Sequence, residues 1–287
     1  MFSLRTRRKL FPYFLLVPGL GWLLAFFLLP ILSQSIVSLE SGNLEEGFQF
    51  DFAFHTYSDA LSSYNEQFLR SFEYAAVATL LALIIAFPLA YYIAFKSRRK
   101  NLLLLLIILP FFTSYLVRTI AWQTILSDDG FVVNTLQSLG LLSSDGRLLA
   151  TRTAVIAGIT YNFLPFMALP LYVSLEKIDR RLIEAATDLY ASRWTAFRKV
   201  TVPLAVPGIF AGSLLTFIPA VGDFINAQLL GTSRQYMIGN VIQSKFNVTS
   251  DYPTAAALSF MLMAVILVAV LLYASLLGTR NLTEAAV

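Results

Sequence analysis

The sequence predicts an all-α fold: a polytopic membrane protein with six transmembrane helices and one helical loop on the cytoplasmic side. Three observations predict this class. Of the 287 residues, 57% are hydrophobic and 13% are charged, a composition outside the range of soluble globular domains. Six apolar stretches each offer about 20 residues or more, the length that a helix needs to cross a hydrocarbon core of about 30 Å. The longest polar interruption in the second half of the chain, residues 176–206, is patterned like folded protein.

The six apolar stretches are predicted to form one transmembrane domain over residues 1–287. The first stretch is too long for the core of a signal peptide and lacks a small-x-small cleavage site, so we expect it to be retained. The chain has no Cys and a single His, His55, in a polar loop, so we expect no disulfide and no metal site. The expected spans are residues 10–37, 72–95, 102–126, 153–175, 207–230 and 253–277.

The distribution of Lys and Arg predicts the orientation of the chain. With the N-terminus in the cytoplasm, fifteen of the twenty-one Lys and Arg residues fall on the inner side, five fall in outer loops, and Arg118 lies inside the third span. This bias follows the positive-inside rule, and it places residues 176–206 and both termini in the cytoplasm. The net charge of +4 is explained by loops beside membrane lipid, so we expect no nucleic-acid partner.

Residues 176–206 are expected to form two short helices joined by a turn. Asp179 and Ser192 are both residue types that cap helix N-termini. Apolar residues recur at helical spacing after each cap: Leu182, Ile183, Ala186 and Leu189 in the first helix, and Trp194, Phe197 and Val200 in the second, which runs into Pro203 and Pro207. The segment has no His, no Cys and no Gly-rich phosphate loop, so it is predicted to be a docking surface and not an active site.

One motif within residues 176–206 resembles a known family. Glu184-Ala185-Ala186, a turn, and then Val200-x-Val202-Pro203 resemble the EAA loop of the permease subunits of type I ATP-binding-cassette importers. The resemblance implies that the first helix sits in a cleft of a separate ATPase subunit and couples its closure to the membrane helices. The coupling residues it implies are Glu184, Ala185, Ala186, Asp188, Tyr190, Ser192 and Arg193.

Tyr190 departs from the pattern of that family, which usually has Gly at this position of the turn. A left-handed conformation costs a non-Gly residue about 1 kcal/mol or more. The turn is therefore expected to be either strained or differently shaped.

Three longer stretches, Leu109–Gly130, Asn162–Ala186 and Pro219–Gly231, resemble the spermidine/putrescine permeases within this importer class. The resemblance implies a bacterial inner-membrane complex with a second permease, two ATP-binding-cassette ATPase subunits and an extracytoplasmic solute-binding protein. ATP and Mg²⁺ are expected in the ATPase subunits, because this chain has no GxxxxGK[ST] phosphate loop and is expected to hold no cofactor itself. A polyamine is the expected solute, and an aminophosphonate is the alternative, since related importers carry such solutes.

The fifth span has two different faces at 100° per residue. One face carries the small or polar residues Gly212, Thr216, Pro219, Asp223 and Asn226, which suits either a translocation pathway or close packing against another helix. The opposite face is large and apolar. The predicted pathway residues are Thr216, Asp223 and Asn226, with Tyr115, Trp122 and Tyr161 from the third and fourth spans.

Arg118 and Asp223 are expected at similar depth, each about 24 Å from the cytoplasmic edge at a rise of about 1.5 Å per residue. They could form an ion pair. Alternatively, Arg118 extends to the outer interface while Asp223 meets a cationic solute. Aromatic residues are dense in the third and fourth spans, where they either pack or bind an amine by cation–π contact.

Two other classes of function fit the sequence less well than an importer. An ion-coupled secondary transporter often shows an inverted internal repeat, and the halves of this chain show no convincing repeat. A membrane-embedded enzyme needs a cluster of acids, His or Cys within its spans, and only Arg118 and Asp223 qualify. The sequence therefore favours a permease that does not itself catalyse a reaction.

Overall fold

The computed structural model describes residues 15–277, and almost all of its regular structure is helical, which confirms the all-α class. The basic N-terminal tail, the first residues of the predicted first span and Arg280 lie outside the described residues. The helices and strands are α1 (Leu15–Val37), β1 (Glu40–Asn43), β2 (Gly47–Phe50), α2 (His55–Phe95), α3 (Lys100–Ile108), α4 (Tyr115–Leu126), α5 (Phe131–Ser138), α6 (Arg152–Glu176), α7 (Arg180–Asp188), α8 (Arg193–Ala196), α9 (Val202–Val221), α10 (Ile225–Leu230), α11 (Ile238–Asn247) and α12 (Tyr252–Leu277).

Five helical segments in the described part of the chain are long and apolar enough to cross a membrane: α1, α2, α6, the continuous run Arg193–Val221, and α12. A sixth span exists only if the bent pair of Lys100–Phe112 and Tyr115–Ser138 counts as one, with an angle of 93° between its arms. The protein is thus a multi-pass membrane protein. The expected third span over residues 102–126 is not one continuous helix, because the helix gives way to a short 3-10 turn at Leu109–Phe112. Pro110 in that turn has no N–H to donate to a continuing helix.

The second span is longer than predicted. Its helix begins at His55, with a kink at Tyr64, where φ is −123° and ψ is 16°. The apolar stretch that starts near Phe72 marks only the part suited to hydrocarbon, and polar residues extend the helix beyond it.

The fifth span differs from the prediction at both ends. The helix capped by Ser192 is not a separate short helix, because a π turn at Phe197–Thr201 carries it into α9. Pro203 lies just after that π turn, inside a continuous helical run, so its missing N–H leaves one backbone hydrogen bond of the run unmade. At the other end, the chain leaves the helix at Gly222 and resumes as α10, so residues 207–230 are not one continuous span.

The described residues divide into two compact units. One comprises the chain up to Ser63 together with Ile242–Met261, and the other comprises Tyr64–Val241 together with the residues from Leu262 onward. The first unit contains the antiparallel β1–β2 hairpin and a hydrogen bond of 2.7 Å from the Tyr57 hydroxyl to Ser38 Oγ. The second unit contains every residue of the site described below. That the whole chain acts as one transmembrane domain stays a prediction.

Helix α6 is the centre of the second unit and packs directly on α9. A Cβ added at Gly208 would lie 2.4 Å from Ser174 Cβ, and one added at Gly212 would lie 3.0 Å from the Met167 carbonyl oxygen. Small residues four apart therefore let the two backbones approach closely, as is common between membrane helices. This close packing brings the chain break after α9 to the side of α6.

Candidate functional site

Asp223 lies in the break between α9 and α10 and is only 7% exposed. Its Oδ1 accepts hydrogen bonds from the backbone N–H groups of Ile225 at 2.9 Å and Asn226 at 3.3 Å. The carboxylate thus satisfies donors in the first turn of α10, which have no partner within that helix. Asp223 is therefore buried in the interior of the unit at a position between two helices, where its side chain can accept from backbone N–H groups that a continuous helix would use itself.

The second oxygen of Asp223 is the centre of a polar network. Oδ2 accepts from the Tyr115 hydroxyl at 2.7 Å and also from the Asn226 side-chain amide, which contacts Tyr115 Oη at 2.6 Å. Asn162 donates to Asn226 Oδ1 and to Thr119 Oγ1, each at 3.2 Å. The network therefore joins three helices: α4, α6 and α10.

Gly158 allows α10 to lie close enough to α6 for this network to form. A Cβ at Gly158 would lie 2.6 Å from Asn226 Oδ1 and 2.4 Å from Leu230 Cδ1. Any larger residue on this face of α6 would push α10 away, so the absence of a side chain here is a condition for the contact between Asn162 and Asn226.

Arg118 does not pair with Asp223, so that prediction is wrong for this structure. Among the described residues the ion pairs are Glu66–Arg70, Lys100–Glu176, Asp128–Arg147, Glu73–Arg152 and Lys245–Asp251. Tyr115 and Asn226 occupy the carboxylate instead. Arg118 is also only 8% exposed, so it does not extend to the protein surface.

The guanidinium of Arg118 lies against aromatic rings. Its Cζ is 4.5 Å from the ring centroid of Phe111 and 5.8 Å from that of Tyr115. Its Nε and Nη1 are buried and have no hydrogen-bond partner. The cation is held by ring faces and not by an anion.

The other predicted pathway residues are placed apart from this network. Trp122 and Tyr161 contact each other edge to face, with centroids 5.3 Å apart. Thr216 is fully buried, and its hydroxyl has no partner. Since Gly212 packs against Met167, the small face of α9 is used for helix packing along this part, as one of the two interpretations of that face predicted.

Sequence reasoning overlooked Asn162 and Thr119. The available signal was the burial cost of a polar side chain within an apolar span, since such residues are rare unless they pair or act. Asn162 stands in the apolar run of α6 and is 1% exposed, and Thr119 is 0% exposed.

A groove of about 810 Å³ runs along α6 and α9 to the start of α7. Pro165 and Phe166 line one end of the groove, and Lys177 and Asp179 line the end next to α7. The residues between them are mostly apolar. The groove therefore runs from Phe166 and Leu215 to residues 176–206, which we call the coupling segment.

Both caps predicted in the coupling segment are confirmed. Asp179 accepts from the Arg181 N–H at 2.9 Å, and Ser192 accepts from the Thr195 N–H at 3.2 Å. Tyr190 has a φ of 60°, so the turn takes the left-handed conformation and is strained. The predicted coupling residues Glu184, Ala185, Asp188, Tyr190, Ser192 and Arg193 are exposed, and Ala186 is half-buried.

The coupling segment presents exposed apolar side chains while holding firmly to the membrane helices. Leu189 is 82% exposed, Tyr190 99% and Trp194 68%. Arg180 donates to the carbonyl oxygen of Ala94 at 3.2 Å, close to the end of α2. A face of this kind suits a protein partner, because large exposed apolar patches mark interaction sites.

Two further contacts tie the coupling segment and its neighbours to the bundle. The ring of Phe197 meets the rings of Phe87 and Tyr91 of α2 edge to face, at 5.7 Å in each case. Lys100 at the start of α3 pairs with Glu176 at the end of α6 at 2.8 Å. A displacement of α7 would therefore act on several membrane helices at once. No group of three His, Asp or Glu side chains that could hold a metal ion occurs within residues 15–277.

The sequence matches a known protein family and several characterised relatives. Residues 78–278 match the family described as "Binding-protein-dependent transport system inner membrane component". The chain is 36% identical over 255 residues to the spermidine/putrescine transport system permease protein PotB of Haemophilus influenzae, covering 88% of this chain and 89% of that protein. It is 37% identical over 264 residues to PotB of Escherichia coli strain K12, covering 90% and 95%.

A third relative and two solved structures agree with this placement. The inner membrane ABC transporter permease protein YdcU of Escherichia coli is 38% identical over 217 residues, covering 71% of this chain and 68% of that protein. A bacterial ABC transporter that imports the acidic polysaccharide alginate superposes with a TM-score of 0.72 at 22% identity, covering 96% and 97% of the two chains. A bacterial alginate ABC transporter bound to its alginate-loaded periplasmic protein gives 0.74 at 22%, covering 97% and 96%.

The two structures show a shared fold. The family match and the PotB identities confirm the expected family of importer permeases. The chain is a multi-pass inner-membrane protein and belongs to the permease components of binding-protein-dependent ABC importers, in the spermidine/putrescine transport system permease family.

Proposed function

We propose that this permease, with a second permease subunit, forms the translocation pathway of an ATP-driven importer for a small organic polycation such as spermidine or putrescine. The support from relatives is that the PotB proteins, named for those solutes, match it over 88–90% of its length. Two ATPase subunits carrying ATP and Mg²⁺ and an extracytoplasmic solute-binding protein complete the proposed assembly.

The observation that carries this proposal is the Asp223 carboxylate. It is buried at a helix break in a membrane-embedded unit, and its hydrogen bonds come from neutral donors: Tyr115, Asn226 and two backbone N–H groups. Ionisable residues at such depth are costly and are usually retained for a function. A carboxylate with no basic partner suits transient binding of a cationic solute.

The proposed mechanism is alternating access. ATP-driven closure of the ATPase subunits pulls the coupling segment, whose turn and α8 present exposed apolar side chains. Arg180 and Phe197 transmit that displacement to α2, and the Lys100–Glu176 pair transmits it between α3 and α6. Asp223 then becomes accessible from the side of the binding protein, and the groove along α6 and α9 forms the route to the cytoplasm.

The test is transport by the complete complex reconstituted in proteoliposomes. Binding proteins loaded with spermidine, putrescine, an aminophosphonate or an amino acid are compared for ATPase stimulation and uptake. We expect a polyamine to stimulate both. Uptake that persists without ATP, or stimulation by the amino acid alone, would refute the proposal.

A substitution at Asp223 tests its role directly. We expect Asp223→Asn to reduce polyamine uptake at least tenfold while the complex still assembles, because the amide keeps the size of the side chain but loses its charge. Asp128→Asn is the matched control, since that carboxylate is 47% exposed and lies in an ion pair with Arg147. Equal uptake by the two variants would remove Asp223 from the pathway.

The orientation is proposed to place the coupling segment in the cytoplasm. The chain has no native Cys, so single-Cys variants need no background changes. In vesicles that lack the ATPase subunits, Leu189→Cys should react with a membrane-impermeant maleimide only when the vesicles are inverted. Ser144→Cys, in the loop between α5 and α6, should react only in right-side-out vesicles. The opposite pattern would reverse the proposed orientation.

An aminophosphonate is a second candidate solute because of Arg118. The Nε and Nη1 groups of this buried guanidinium are unpartnered donors, and such donors suit a phosphonate oxygen. The same panel of loaded binding proteins distinguishes the two candidates.

A further inference from the structure

Phe111 and Tyr115 lie against the guanidinium of Arg118, and the rings of Phe166 and Phe163 adjoin those two rings. We call Phe111, Tyr115, Phe163 and Phe166 the aromatic cage. Successive ring centroids lie 5.3 Å apart for Phe111 and Phe166, 6.1 Å for Phe166 and Phe163, and 6.1 Å for Phe163 and Tyr115. Arg118 lies over Phe111 at 4.5 Å and over Tyr115 at 5.8 Å. The protein thus already holds a cation against these rings, and that cation belongs to its own chain.

The guanidinium of Arg118 lacks part of the hydrogen bonding that a buried charged group normally has. The side chain is 8% exposed, yet its Nε and Nη1 have no hydrogen-bond partner. Buried charged groups normally have both a counter-charge and satisfied donors. Asp223 could serve, but Tyr115 and Asn226 occupy it. Attraction to ring faces therefore holds the guanidinium, and a competing cation could replace it there.

A ligand has both an approach to the cage and a second charge beside it. Phe166 is 38% exposed and lines the groove along α6 and α9, so one wall of the cage is accessible from that groove. The hydroxyl of Tyr115, another wall, contacts the Asp223 carboxylate at 2.7 Å. Ring faces and a carboxylate separated by one tyrosine suit the two ammonium groups of a diamine.

We propose that the aromatic cage is a binding subsite for an ammonium group of the transported cation and that Arg118 is a tethered stand-in, which fills the subsite when no ligand is present. Entry of the ligand displaces the guanidinium from Phe111 and Tyr115. This inference rests on the proposed function only for the class of solute, an organic cation. It predicts that removing the guanidinium opens the cage instead of disabling it.

The experiment measures equilibrium binding of radiolabelled tetramethylammonium to the complete importer in nanodiscs, without binding protein. This ion has no hydrogen-bond donor, so it reports on ring faces alone. We expect Arg118→Met to bind it about thirtyfold more tightly than the wild type, the factor that corresponds to one desolvated cation–π contact. Arg118→Lys, with a shorter reach, should show a smaller gain.

A second substitution locates the bound ion. Phe111→Leu in the Arg118→Met background should return binding to the wild-type level. Phe112→Leu in the same background should leave the gain intact, because the neighbouring ring of Phe112 is 83% exposed. Co-purification of the other subunits verifies assembly of each variant, and Arg118→Lys supplies the test if Arg118→Met does not assemble.

Two results would overturn the inference. One is that neither Arg118 variant gains affinity in an assembled complex, and the other is that the gain survives Phe111→Leu. Failure of the wild type to import any polyamine would instead remove the proposed solute and leave the cage standing, since tetramethylammonium is not a polyamine.

Discussion

Helices α1 and α6 are both long enough to cross a membrane, yet they are used in opposite ways. In the most apolar part of α1 none of the residues is buried, whereas two thirds of the corresponding part of α6 is buried, although α1 is the more apolar of the two. Lipid tails are as apolar as leucine, so apolarity alone does not draw a helix into the protein. What distinguishes α6 is residues that allow close approach or supply polar contacts, such as Gly158 and Asn162.

The largest loss of stability is expected from a substitution at a glycine of α6. Gly158→Leu should destabilise the subunit by about 3 kcal/mol, because even its Cβ would lie 2.4 Å from Leu230 and overpacking costs about 1–3 kcal/mol. Gly21→Leu in α1 is the matched control, since nothing lies within 4 Å of a Cβ there. Thermal unfolding of the two purified variants checks this expectation. Equal losses would show that α6 owes nothing to close approach.

A second test removes an amide instead of adding bulk. Asn226→Leu removes one donor to the Asp223 carboxylate and the oxygen that accepts from Asn162, and we expect it to cost about 2 kcal/mol. The corresponding change in α1, Gln34→Leu, should alter stability by less than about 0.5 kcal/mol. Unfolding midpoints and polyamine uptake are measured for both. A stable Asn226→Leu variant with normal uptake would contradict the importance of the network.

The coupling segment extends the comparison to an exposed turn. Tyr190→Gly should gain up to about 1 kcal/mol by relieving the left-handed conformation, whereas Leu189→Gly, at a φ of −83°, should lose about 0.5–1 kcal/mol. If the strain serves coupling, Tyr190→Gly should also raise the number of ATP molecules hydrolysed per solute imported. Destabilisation by Tyr190→Gly would show that the tyrosine makes a contact that outweighs its strain.

The smallest effect is expected in the unit that contains α1, where Lys245 and Asp251 form a partly exposed ion pair at 2.9 Å. Burial acts to raise the pKa of Asp251, but hydrogen bonds from Lys245 and Thr254 outweigh it and hold the pKa below its ordinary value. The resulting stabilisation is fully present above the unfolded pKa of about 3.9 and is lost as pH falls through the folded pKa.

Asp251→Asn should therefore cost less than about 1 kcal/mol at pH 7, with a cost that shrinks as the pH is lowered below about 4. Melting curves of the variant and the wild type between pH 7 and pH 3 measure this. A difference that grows toward pH 3 would reverse the sign of the linkage.

Several parts of the molecule were predictable because they depend on neighbours in the chain. Apolar runs of sufficient length predicted the membrane class, and the caps at Asp179 and Ser192 formed as expected. Tyr190, read against a motif that usually has Gly, correctly marked a turn with a conformational conflict. Tyr115, Asp223 and Asn226 were all identified as candidates and lie in one network.

Other parts followed from contacts that no local pattern contains. The hydroxyl that occupies Asp223 comes from a residue 108 positions earlier in the chain, and a helical wheel of one span cannot show which distant side chain arrives there. Arg118 was therefore assigned to Asp223 or to the surface, whereas neighbouring rings hold it. The bend within the third span and the break after Gly222 were missed for a related reason, since local composition predicts apolar length but not the course of the backbone. The sequence by itself determined which segments are apolar, where helices are capped and which family the chain resembles. The tertiary structure decided which polar groups meet in the interior, because a buried partner must satisfy each of them and that partner is chosen by packing.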